Sequence, residues 1–275
     1  MSNHSLPISL DGLSSLGVRL RKESSALWVR KTPVKTCVVF VHGYGGRAIG
    51  TWGDFPKLAT NGPEFDEVDL IFLGYESRWR PAEYNVGVIY DVVSLLAEEP
   101  VRLLAKVNGP ERPSWLGYER IVLVGHSLGG ALVRTVAMSA KTEGKAWATK
   151  LRLALFAPAH KGANVIELVL LSAGFLKWAG LPQAVALAIS PVLRDLQKGS
   201  EYLKALLSAA EGIGDHCTSK AAFVAHASGD KVVFQDRFYL DPPLHPYESQ
   251  NHVSCCKPIA SVFERPVLDL IKVLE

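Results

Sequence analysis

The sequence predicts an α/β fold with a mostly parallel central sheet and helices on both faces. Three observations carry this. Short, uninterrupted apolar runs recur along the chain. The first three stop at glycine-containing turns, and stretches with helical spacing lie between the runs. Strands without strict alternation are buried on both faces, the habit of parallel sheets covered by crossover helices.

The elements follow in order. Residues 1–36 are polar and mixed and read as an N-terminal extension or an edge strand. Cys37–Val41 (CVVFV) is the first buried run and stops at His42–Gly43. Residues 69–73 (DLIFL) stop at Gly74, and residues 120–124 (RIVLV) stop at Gly125. Residues 151–156 (LRLALF) and 221–225 (AAFVA) are the fourth and fifth runs. Between them, residues 84–106 carry Val88, Val92, Leu95, Leu96 and Leu103 at helical spacing, with a break or kink expected at Pro100. Residues 128–142 follow the third run directly and set Leu132, Val133, Val136 and Ala137 on one face. Residues 259–274 read as a terminal amphipathic helix entered near Pro266.

Composition bounds the function. The chain has 275 residues, 48% hydrophobic and 21% charged, which excludes disordered and collagen-like classes. The net charge of +3 comes without a Lys/Arg stripe, so no nucleic-acid partner is expected. Cys37, Cys217, Cys255 and Cys256 form no CxxC pair and are expected to be reduced. The first 20 residues lack a basic stretch followed by a long apolar one. Together these favour a cytoplasmic location. No cofactor is expected, because no Rossmann or P-loop spacing appears. No metal is expected either: His252, Cys255 and Cys256 lack a second ligand pair.

Residues 163–210 are long, helix-forming and apolar. Leu168–Ser190 contains one charge, Lys177, and the break Gly180–Leu181–Pro182. That pattern predicts a helical insertion over the sheet rather than a membrane span. As a cap it would line an acyl pocket through Leu168–Leu171, Phe175, Leu176, Trp178 and Val185–Ile189. Its apolar surface would also allow transient contact with a membrane surface.

The chemistry-bearing motif is Val124–Gly125–His126–Ser127–Leu128–Gly129–Gly130. A Gly-x-Ser-x-Gly sequence between a buried strand and a helix places its serine on a sharp, strained turn. The helix N-terminus there favours developing negative charge. A serine hydroxyl needs a base, normally histidine, and an acid to orient that base. On a strand–Gly-x-Ser-x-Gly–helix the order is serine, acid, histidine. The histidines after Ser127 are His160, His216, His226, His245 and His252. His226 lies in a strand and His245 in a Pro-rich stretch, whereas His252 sits in a polar loop before the last helix and has the freedom a base needs. Asp230 follows the fifth run on a Ser-Gly-Asp turn and is the preferred acid; Asp215, Asp236 and Asp241 compete. One oxyanion donor is the backbone N–H of Leu128. The second is assigned to Tyr44 in the loop His42–Gly43–Tyr44–Gly45–Gly46, with His42 bracing that loop.

The segments VVFVHGYGG, VGHSLGGALV, LFAPAHKGAN, HASGDKVV and NHVSCCKP resemble the α/β-hydrolase superfamily in its lipase-like branch, and are similar to SERAC1-like and DUF676-type serine esterases. The resemblance covers roughly residues 36–275. It implies an α/β-hydrolase domain over residues 37–275 with the cap at about 163–210, and Ser127, Asp230 and His252 as triad. The substrate implied is a small-molecule ester or lipid. Where that branch often has Thr/Ser-Pro-His, this chain has Ala157–Pro158–Ala159–His160, so no role carries over to His160. Two functions are expected from these features: cleavage of carboxylic esters through an acyl-enzyme, or a non-catalytic module that binds a lipid or a protein partner. A thioesterase, amidase or acyltransferase would use the same triad.

Overall fold

The computed structural model describes residues 8–10, 13, 25–172 and 190–275. Its described strands form one eight-stranded sheet: β1 (Ile8–Ser9), β2 (Ala26–Trp28), β3 (Thr36–Val41), β4 (Val68–Leu73), β5 (Arg120–His126), β6 (Leu151–Phe156), β7 (Phe223–Ala227) and β8 (His245–Tyr247). The spatial order is β1-β2-β4-β3-β5-β6-β7-β8. β2 runs antiparallel to β1 and β4, and every later pairing is parallel. The N-terminal segment thus supplies the sheet edge beside β4.

The helices are α1 (Phe55–Asn61), α2 (Ala82–Glu98), α3 (Pro100–Lys106), α4 (Leu128–Thr142), α5 (Val165–Ser172), α6 (Pro191–Asp195), α7 (Glu201–Ile213) and α8 (Arg265–Leu274). The connection from β3 through α1 steps outward to β4, while those from β4 to β5 and from β5 to β6 step the opposite way. Crossovers are right-handed, so a reversal of step puts the helices on opposite faces of the sheet. Accordingly α1 touches α8, while α2 packs on α4. The reversal also opens a crevice at the carboxyl ends of β3 and β5, where open α/β sheets bind their ligands.

The core follows from composition. Every residue of β4 and all but the first of β3 and β5 are buried. Phe40 stacks on Phe72 at 4.3 Å, and Trp52 and Phe55 meet its edge. Each such side chain contributes about 1.5–3 kcal/mol through burial.

Three expected boundaries move, each for a visible reason. The helix read over 84–106 is two helices, because Pro100 has no N–H to continue the ladder and Glu99 leaves helical geometry at φ −134°. The terminal helix begins at Arg265 rather than 259. Ile259 and Phe263 close an antiparallel bridge first, and Ser261 has φ 62°. The fifth run forms a strand from Phe223, not Ala221, since the Ala221 N–H donates to the Asp241 carboxylate at 2.8 Å.

Of the segment 163–210 expected as a cap, α5 lies beside the crevice. Residues 201–210 belong to α7, which packs Leu203, Leu206 and Ala210 against Ala131 and Met138 of α4. Phe175, Leu176, Trp178 and Val185–Ile189 lie outside the described residues. Among the described residues no helix is long and apolar enough to cross a membrane.

Candidate active site

Ser127 sits between β5 and α4 with φ 54° and ψ −122°. A non-glycine residue at that φ is strained and persists only where its surroundings over-determine it. Here its N–H donates to the Phe156 carbonyl at 3.1 Å, and its own carbonyl accepts from Gly130 and Ala159, both at 3.0 Å. The turn is tight enough that a Cβ on Gly125 would lie 2.6 Å from Gly130 Cα. This explains the glycine before the serine: strand and helix backbones meet there.

His252 joins the two other expected residues. Its Nε2 lies 3.0 Å from Ser127 Oγ, and its Nδ1 lies 2.8 Å from Asp230 Oδ2. With the ring neutral, Nδ1–H donates to Asp230 and Nε2 accepts the serine hydroxyl. Asp230 Oδ1 in turn accepts the N–H groups of Val232 at 2.7 Å and Val233 at 3.2 Å. Burial pushes the Asp230 carboxyl up, but the His252 bond and charge and the two N–H groups carry it below the ordinary value. Burial also lowers His252, and the bond to Asp230 only partly opposes it. His252 is itself buried, contrary to the freedom expected of a polar loop residue; the loop folds inward there, while Glu248, Ser249 and Asn251 before it stay exposed.

The other candidates part company with this group. Asp241 is fully buried and pairs with Arg134 at 2.5 Å. Asp215 pairs with Lys220 at 3.3 Å, and Asp236 is exposed. His226 is buried in β7, His245 opens β8, and His216 lies 3.0 Å from the Thr218 hydroxyl. His160 is buried against Phe238, with ring centroids 4.6 Å apart, and burial and the Arg134 charge push it well below the ordinary histidine range. His42 stacks on Tyr75, its Nδ1 lies 2.8 Å from the Gly43 carbonyl, and its own carbonyl accepts the Tyr75 hydroxyl at 2.6 Å. It therefore braces the loop beside Ser127. That loop comes so close that a Cβ on Gly43 would lie 2.8 Å from Ser127 Cβ. None of the four cysteines is in a disulfide.

One residue was given no role from the sequence. The His126 ring donates from Nε2 to the His252 carbonyl at 2.8 Å and so holds the loop that carries His252. The contact joins positions 126 residues apart, and no local pattern announces it.

A cavity of about 210 Å³ opens over Ser127. Tyr44, Gly45, Leu168, Leu171 and Val253 form part of its wall, so α5 contributes apolar lining. Leu128 is the first residue of α4, where the N–H has no partner within the helix.

The sequence profile of the alpha/beta hydrolase family matches residues 38–267. Solved structures share the architecture at low identity. The mature lipase BlEst2 of Bacillus licheniformis superposes with a TM-score of 0.53 at 15% identity, covering 87% of this chain and 93% of that one. A monoacylglycerol lipase of Paleococcus ferrophilus gives 0.51 at 17% identity, covering 94% of this chain and all of that one. The peroxisomal alpha-beta-hydrolase Lpx1 of Saccharomyces cerevisiae gives 0.53 at 10% identity, covering 100% and 90%. No curated protein matches the chain in sequence. At these identities the structures speak for the fold alone, while the family profile spans most of the chain: this protein belongs to the alpha/beta hydrolase family.

Proposed function

We propose that the protein is a serine hydrolase that cleaves carboxylic esters through an acyl-enzyme. The observation that carries this reading is the His252 ring bridging Ser127 Oγ at 3.0 Å and Asp230 at 2.8 Å, beside a partly apolar cavity. Ser127 Oγ attacks the ester carbonyl carbon while His252 Nε2 takes its proton. The N–H groups of Leu128 and Tyr44 hold the oxyanion. The carbon–oxygen bond to the leaving alcohol breaks, and His252 returns the proton to that alcohol. Water then gives its proton to His252 and attacks the acyl carbon; the bond from that carbon to Ser127 Oγ breaks, His252 returns the proton to Oγ, and the acid leaves. Asp230 keeps the imidazole in the required tautomer and stabilises its charged form.

The lipase-like branch is the finer part of this reading. Leu168 and Leu171 in the cavity wall support an acyl chain there, and the exposed Ile166 and Leu171 of α5 support brief contact with a lipid surface. Substrates are then small esters or lipids.

Two measurements test the proposal. A serine-directed phosphonate should label Ser127 in the intact protein. Turnover of p-nitrophenyl esters should fall on the order of 10⁴–10⁶ in Ser127→Ala. A purified Ser127→Ala protein within tenfold of wild type would show that the serine is not the nucleophile. Absence of both labelling and turnover in wild type would favour a binding module.

A further inference from the structure

The cavity over Ser127 has a polarity the proposed chemistry does not require. Among the described residues its wall contains Arg47 and Lys257 and no Asp or Glu. The chain as a whole is nearly balanced, with 30 basic and 27 acidic residues, so composition does not impose this. Among the described residues neither Arg47 nor Lys257 forms an ion pair. Some other cations are paired, such as Arg134 with Asp241 and Lys272 with Asp269.

The two come from distant parts of the sequence and are brought together by hydrogen bonds between the segment after β3 and the one after His252. Arg47 belongs to the loop after β3, where its N–H donates to the Thr51 hydroxyl at 2.9 Å. Lys257 follows the His252 loop. The Asp54 N–H bonds the Pro258 carbonyl at 3.1 Å, and the Ala260 N–H bonds the Asp54 carboxylate at 3.1 Å. The wall of one cavity therefore carries two positive charges beside the serine.

Resting on the ester-hydrolase reading, we infer that this site selects esters bearing an anionic group, a carboxylate or a phosphate, which Arg47 and Lys257 hold while Ser127 attacks the ester carbonyl. A partly hydrated cation pair attracts an anion without committing to its geometry, and the attraction weakens with salt. The group could sit on the acyl arm, as in a dicarboxylic half-ester, or on the alcohol arm, as in a glycerophosphate ester.

Matched substrates separate these sources. Mono-p-nitrophenyl adipate against p-nitrophenyl hexanoate tests the acyl arm. Butyryl-glycerol phosphate against butyryl-glycerol tests the alcohol arm. The quantity read is the ratio of kcat/KM for the anionic ester to that for its neutral partner. In wild type at low salt the ratio should exceed unity, by roughly five- to twentyfold, in at least one pair. Arg47→Gln and Lys257→Gln should each lower it about threefold. Salt at about 0.5 M should lower it in wild type and have little effect in the double variant. A ratio at or below unity in both pairs, or one that neither substitution moves, overturns the inference. Neutral esters turned over without any anion preference leave the ester-hydrolase reading standing and remove only this one. Inertness of every ester, together with no phosphonate labelling, removes both.

Discussion

Asp230 and Asp241 lie eleven positions apart, both carboxylates are buried, and both face a basic group. Their partners separate them. Asp241 meets the Arg134 guanidinium, which is itself fully buried and lies 4.4 Å over the Phe238 ring. It also accepts the Ala221 N–H, so it ties α4 to the entry of β7. Asp230 meets an imidazole that can gain and lose a proton and that touches a strained serine. A permanently charged arginine makes a carboxylate structural, whereas a titratable histidine lets it tune a reaction. Burial alone separates neither role.

The largest effect that would sharpen this contrast is on turnover. Asp230→Asn should cut kcat on the order of 10⁴ by favouring the wrong imidazole tautomer, with little loss of stability. Steady-state kinetics alongside thermal melting checks it, and loss of folding with retained specific activity would reverse the assignment.

Asp241→Asn should do the opposite. It leaves the Arg134 charge buried without a counter-charge, which costs about 3–5 kcal/mol. Melting should fall by roughly 10 °C, while the folded fraction keeps its kcat. An Asp241→Asn protein as stable as wild type would contradict a structural ion pair.

Asp69 offers a third buried carboxylate. It accepts the Arg30 N–H and the Tyr118 hydroxyl, each at 2.7 Å, yet burial outweighs these bonds and raises it from 3.8 to about 6. Its folded form holds the proton more tightly than the unfolded chain. The stability this contributes is therefore complete below about pH 4 and lost as pH rises through about 6. The stability difference between wild type and Asp69→Asn should shift by ~2 kcal/mol between pH 4 and pH 7. Denaturant titrations at the two values measure it; a constant difference would mean that Asp69 titrates normally.

The smallest effect is a displacement of the acid limb of activity. Protonated His252 cannot accept the serine proton, so kcat/KM falls as pH drops through its pKa. Burial lowers that pKa from 6.5, and the limb should therefore lie below 6.5. A pH–rate profile whose limb lies above 6.5 would show that the neighbouring carboxylate outweighs burial.

How much of this was legible beforehand varies with the range of the interaction. The elbow at Gly125–Ser127–Gly129 was readable because strand, turn and helix are consecutive, and steric exclusion around a backbone turn acts locally. Pro100 was readable for the same reason. Asp230 was readable in part: its turn and the apolar pair behind it are local, but Asp241 carried an equal charge and lay in the same stretch. Arg134 is not legible in the sequence, since a helix pattern marks it only as polar and its counter-charge lies 107 positions away.

The sequence by itself determined the alternating strands and helices, the strained serine and the supply of acids and histidines downstream of it. These follow from periodicity, glycine punctuation and order along the chain. Tertiary structure alone decided which acid meets which histidine, that the His252 loop is drawn inward by His126, and that Arg47 and Lys257 share one wall. Those pairings join residues about a hundred positions or more apart, or choose among equals within one loop-rich stretch. Short-range propensities carry no information about them; the reversal of strand order between β3 and β5 brings them to one end of the sheet.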